Sequence, residues 1–174
     1  MKKLIALATG TALLVPMLAT AQPRQNCGPA PTAVPVTGTT DPVEQRKMLE
    51  DPDPQLAANK KLVYDMWRTL LNAYQIDRAG EFIHEDYIQH NPMANTGLAG
   101  MQAFFRMMNR PPTEVPEAIP EGVVAILAQG DKVVIVFPRS GTDSCGRQFT
   151  TTWFDMFRIE NGKIVEHWDP ATRN

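Results

Sequence analysis

Three short stretches hold ionisable groups among apolar neighbours: "HEDYIQHNP" (84–92), "TTWFDMFRIE" (151–160) and "IVEHWD" (164–169). Side chains of a strand alternate between its faces, so Thr151, Trp153, Asp155, Phe157 and Ile159 share one side. An acid flanked by Trp153 and Phe157 loses hydration, its pKa rises, and it becomes suited to proton transfer. In the third stretch Val165, His167 and Asp169 share a face, opposite Ile164, Glu166 and Trp168. His167 and Asp169 can then act as an acid/base pair, the acid orienting the imidazole or the imidazole holding the acid's proton. The plain alternative is that both face solvent at the end of the last strand.

His90 has two readings as well. Pro92 pushes Asn91 into extended geometry, which leaves His90 near a strand end, either as a catalytic group or as a corner residue fixing a loop. His84 and Glu85 read as an exposed turn, and Tyr87 either offers its hydroxyl to a pocket or packs. A metal site is the weaker option. His84 and His90 stand six apart across a break, and no histidine pair has zinc spacing. There is no phosphate loop, dinucleotide fingerprint or nucleophile elbow, and "SCG" at 144–146 matches no cysteine-nucleophile signature. "FFRMMN" reads as core rather than as a cofactor box.

These groups need elements to position them. Leu56, Leu62, Val63, Met66, Trp67, Leu70, Leu71 and Tyr74 recur at helical spacing and predict one amphipathic helix, capped by Asp53 or Asp51 with Pro54 in its first turn. A short helical turn carrying Phe82 and Ile83 follows, then an extended "DYIQHNP". "GLAGMQAFFRMMNR" predicts a third helix with Leu98, Met101, Phe104, Phe105 and Met108 on one side. The prolines of "PPTEVPEAIPEG" exclude regular structure. Four strands follow, joined in part by hairpin turns at 130–131 and 160–162. Helices first and an antiparallel meander after them give an α+β class.

The chain has 174 residues, enough for one domain, and 43% are hydrophobic. A net charge of -2 and a pI near 5.9 disfavour nucleic acid and anionic lipid as partners. Residues 1–21 carry a Lys2-Lys3 start, an apolar run broken by Pro16, and "ATA" at 19–21, the pattern of a secretory signal peptide. Once it is cleaved, nothing holds the chain to a membrane, and the expected location is periplasmic or secreted. Residues 22–50, rich in proline and threonine at their start, read as an arm or linker, and 51–174 as the folded domain. Cys27 and Cys145 are an even pair in an exported chain, either disulfide-bonded across arm and body or both free.

"YIQHNP", "GLAGMQAFF" and "FDMFRIENGKIVEHWD" together resemble the SnoaL-like polyketide cyclase family of the nuclear transport factor 2-like superfamily, over roughly residues 55–170. The resemblance implies a cone-shaped α+β fold in which a curved antiparallel sheet wraps around helices and leaves an apolar pocket. It implies general acid/base chemistry by a pocket carboxyl group, as in aldol ring closure, with no metal and no organic cofactor. Matched by motif, Asp169 is the leading catalytic acid, with His90 and Asp155 in the pocket. If Asp155 is the reactive acid, the roles exchange. Asp169 would be the base and His90 or Tyr87 the donor to the enolate oxygen, with Trp153, Phe157, Phe104 and Met108 walling the pocket around an apolar small molecule. Dimers are common in such folds, so a homodimer is expected. The same cone also serves plain binding modules, which leaves a non-catalytic ligand-binding role open.

Overall fold

The computed structural model describes residues 27–30 and 32–171; the signal peptide read at 1–21 lies outside them. Asp41 caps a short helix α1 (Pro42–Lys47) by accepting from the Val43 and Glu44 amides, within the stretch that sequence alone leaves as an arm. Asp53 caps α2 (Pro54–Met66), with Pro54 in the first turn where no amide donor is needed. The helix does not run on as α through residue 74. It widens into a π-turn over Trp67–Asn72, which brings Met66, Trp67, Leu70 and Leu71 all onto the cavity side.

A 3-10 helix (Ile76–Glu81) precedes β1 (Ile83–Gln89), so Ile83 opens a strand rather than sitting in a helical turn. Helix α3 (Leu98–Arg106) follows. The remaining strands are β2 (Ala125–Gln129), β3 (Lys132–Thr142), β4 (Gln148–Glu160) and β5 (Lys163–Trp168). They form a curved, open sheet in the order β1-β5-β4-β3-β2. β2 to β5 are the expected antiparallel meander, whereas β1 adds to β5 in parallel. Asn161 and Gly162, both at positive φ, turn β4 into β5 as the tight hairpin that an Asn-Gly pair favours.

One irregularity matters for the site. Arg158 pairs with Glu166 but Ile159 pairs with Ile164, so Val165 is an extra residue in β5. This bulge lets Ile164 and His167, three apart, both face inward. Strict alternation had put them on opposite faces.

The N-terminal segment is fastened at several points. Cys27 and Cys145 form a disulfide with Cα atoms 5.9 Å apart. Arg147 Nη1 donates to the Gly28 carbonyl, and Thr39 pairs with Val123 through two backbone hydrogen bonds. Gly38 makes that approach possible, since a Cβ there would lie 2.8 Å from the Val123 nitrogen. Gln45 is fully buried; its amide donates to the Thr39 and Ile119 carbonyls and accepts from the Tyr64 hydroxyl and the Ile119 amide. Among the described residues no helix is long and apolar enough to cross a membrane.

Candidate active site

Between the helices and the concave face of the sheet lies a cavity of about 440 Å³, walled chiefly by apolar side chains. That is the size and character of a small-molecule site. Trp153, Phe157, Phe104, Met108 and Tyr87 all line it. Its polar groups come from four strands and the residues that follow them, Arg139 from β3 among them. β1 and the residues after it supply Tyr87, Gln89 and Asn91; β4 and β5 supply Asp155, His167 and Asp169.

These six side chains form one hydrogen-bond network. His167 Nε2 lies 2.9 Å from Asp155 Oδ1 and its Nδ1 lies 2.9 Å from Gln89 Oε1. Gln89 Oε1 also accepts from the Asn91 backbone amide, and Gln89 Nε2 donates to the Tyr87 hydroxyl oxygen. Asn91 Nδ2 donates to Asp169 Oδ2, and the Ala171 amide donates to Asp169 Oδ1. A backbone amide can only donate, so the Gln89 atom facing it is the oxygen. His167 Nδ1 must therefore carry a proton, and one further proton lies between Nε2 and Asp155.

Burial decides where that proton rests. Asp155 is 4% exposed, and its Oδ2 is buried without a hydrogen-bond partner. Desolvation pushes its pKa up, against the opposing effect of His167, and the nearby Asp169 charge adds to the rise. Desolvation thus favours the protonated Asp155 carboxyl, which can donate to His167 Nε2. The Phe157 ring stacks on the imidazole, centroids 4.7 Å apart, and excludes water from one face. Tyr87 is 2% exposed, and burial holds its phenol protonated. Its oxygen accepts from Gln89, which leaves its O–H for a ligand.

Donor atoms of Asp155, His167 and Asp169 all lie within 4.8 Å of one another. Two carboxylates and an imidazole at that spacing suit proton exchange, and they are also a donor set that a cation can use. The expectation of no metal rested on sequence spacing and on the family resemblance, neither of which could show this convergence.

A family model described as SnoaL-like polyketide cyclase matches residues 61–171. The chain belongs to the SnoaL-like polyketide cyclase family. Solved structures similar to this SnoaL-like chain include TsrD from Streptomyces laurentii, at 23% identity over 68% of this chain and 90% of that one, TM-score 0.45. A nuclear transport factor 2-like protein of unknown function from Burkholderia pseudomallei matches at 18% over 66% and 91%, TM-score 0.48. TerC, co-crystallised with polyporic acid, matches at 18% over 66% and 92%, TM-score 0.48. No curated protein matches the chain.

The SnoaL-like cone corrects one site expectation. His90 does not line the cavity. Its Nε2 lies 2.8 Å from Glu166 Oε1, and its ring stacks on Trp168 on the outer face of the sheet. Glu166 is held below the usual carboxylate range by that histidine contact and by Arg158. His84 is a surface residue, its Nδ1 accepting from the Asp86 amide. His167 and Asp169 face the cavity, not solvent. Sequence reading passed over Gln89, Asn91 and Arg139, all cavity-lining. The signal for the first two was available, because Tyr87, Gln89 and Asn91 are two residues apart on an extended segment.

Proposed function

We propose that this protein is an exported, cofactor-free enzyme that performs acid/base chemistry, an aldol cyclisation or an isomerisation, on an apolar carbonyl compound. The observation that carries this is the pair of carboxyl groups in unlike settings at one end of an apolar cavity. Asp155 is buried, with its pKa pushed up by desolvation, while Asp169 accepts two N–H hydrogen bonds. Environments that separate two acids in this way assign one as donor and the other as base.

In the proposed step Asp169 removes a proton from the carbon next to the substrate carbonyl, and the C–H electron pair becomes the enolate. The Tyr87 hydroxyl donates to the enolate oxygen. For ring closure the enolate carbon attacks a second carbonyl carbon of the same molecule, a C–C bond forms, and the new alkoxide takes the proton of the Asp155–His167 pair. Asp169 then passes its proton to that pair, and the cycle closes. For isomerisation the proton returns to a different carbon of the enolate.

Export is supported by the N-terminal sequence and by the Cys27–Cys145 disulfide, a bond that oxidising compartments preserve. Exposed Leu127 and Phe154 on the outer sheet face support a homodimer.

The test is deuterium exchange into the methyl group of acetylnaphthalene in heavy water, followed by NMR with and without a chelator. Acceleration that survives chelation and disappears in Asp169→Asn supports the proposal. Acceleration that needs added metal transfers the chemistry to a cation at Asp155, His167 and Asp169. Binding without acceleration leaves the protein as a ligand-binding module.

A further inference from the structure

Among the described residues, Arg139 is the one arginine or lysine that lines the cavity. It sits on β3 opposite Thr151 of β4, and its guanidinium carbon lies 3.9 Å from the centre of the Trp153 ring. Among the described residues no carboxylate reaches it within 4.0 Å, whereas every other described arginine except Arg110 has an acidic partner. Arg110 lies over Tyr74, away from the cavity. Asp155, one of the two acids of the cavity, lies farther along β4. Thr151 is four residues from Asp155 on β4, about 13 Å along the strand, and Trp153 is two residues away, about 7 Å.

The cavity therefore holds a cation as well as acids. Its cation is held flat on an aromatic face, with its N–H edges unclaimed by protein carboxylates. Trp153, on whose ring it rests, stands two residues from Asp155 on β4, and neither Asp155 nor Asp169 forms an ion pair with it. A guanidinium stacked on a ring is pre-organised, and its planar fork matches a carboxylate with two parallel hydrogen bonds.

We propose that Arg139 is a substrate-binding residue for a carboxylate, and that the substrate is an apolar carbonyl compound with a carboxylic acid several bonds from the reacting carbonyl. This rests on the acid/base reading of the site only for which carbonyl reacts; the carboxylate subsite itself requires only the cavity.

The experiment is calorimetric binding of naphthoylvaleric acid and its methyl ester to the full chain and to Arg139→Met, which keeps an extended side chain over Trp153 and removes the charge. The intact protein binds the acid about tenfold more tightly than the ester. Arg139→Met loses that preference, and the ester binds both proteins alike. Equal affinity for acid and ester in the intact protein overturns the assignment, as does a preference that persists in Arg139→Met. An acid preference that depends on Arg139, in a protein that exchanges no ketone protons, keeps the subsite and removes the enzymatic reading instead.

Discussion

His167 donates its Nδ1 proton to Gln89 Oε1 over 2.9 Å, and that contact fixes which way the imidazole works. Because Gln89 Oε1 also accepts the Asn91 amide, its oxygen cannot trade places with its nitrogen without facing one donor with another. The imidazole is thereby committed to offering Nε2 to Asp155. The residue that sets the protonation of the site is thus a neutral amide on β1, two positions from the phenol that it also contacts.

Replacing Asp169 by Asn removes the proposed base and keeps its shape. The expected loss in the rate of proton exchange is about a hundredfold to ten-thousandfold, with little change in thermal midpoint. Exchange kinetics beside a melting curve check this. An undiminished rate would remove Asp169 from the mechanism.

Asp155→Asn separates a neutral pair from an ion pair. If Asp155 donates a proton to His167, an asparagine amide can do the same, and the variant should stay within about 1 kcal/mol of the parent near neutral pH. Breaking a buried ion pair would instead cost about 3–5 kcal/mol. Urea titrations at neutral pH distinguish the two.

The same residue sets a pH dependence. Burial raises the folded pKa of Asp155 above its ordinary value of 3.8. The folded state therefore holds this proton where the unfolded chain has released it. Its stabilising contribution is complete below that value and is lost as pH rises through the folded pKa. Melts of the parent should show this loss as pH rises above 3.8, and Asp155→Asn should lack it.

Gln89→Leu leaves the His167 Nδ1–H and the Asn91 amide without their acceptor. Two unmet donors should cost about 2–4 kcal/mol in denaturant unfolding. Gln89→Glu, which keeps an acceptor, should recover most of that stability while shifting the pH profile of exchange. A Gln89→Leu protein as stable as the parent would contradict the network.

Removing the disulfide tests the fastening of the N-terminal segment. Cys27 and Cys145 are 118 residues apart, and closing a loop of that size restricts the unfolded chain by about 4–5 kcal/mol on the chain-entropy account. Cys27→Ala should lose stability of that order in urea. A change below about 1 kcal/mol would show that Gln45 and the Thr39–Val123 pair hold the segment without it.

Much of the fold is written locally. Asp53-Pro54 marks the start of α2, Asn161-Gly162 turns β4 into β5, and the two-residue period of "TTWFDMF" puts Trp153, Asp155 and Phe157 on one face. Such signals depend on a few adjacent residues, so they survive reading one chain at a time. The π-turn at Trp67–Asn72 was not legible, because its residues fit an α-helical period almost as well.

The sequence by itself determined the α+β class and the family, and it offered Asp155 between two aromatics and Asp169 by its motif. Tertiary structure decided which histidine joins them. β1 lies beside β5 in parallel, with the His90 amide on the His167 carbonyl, and this sends the His90 ring to Trp168 on the outer face while Gln89 turns inward to His167. The bulge at Val165 then lets Ile164 face the same way as His167. Partners 76 and 78 residues apart, as in His90–Glu166 and Gln89–His167, are chosen by how strands align in space, and nothing in the local order of residues encodes that register.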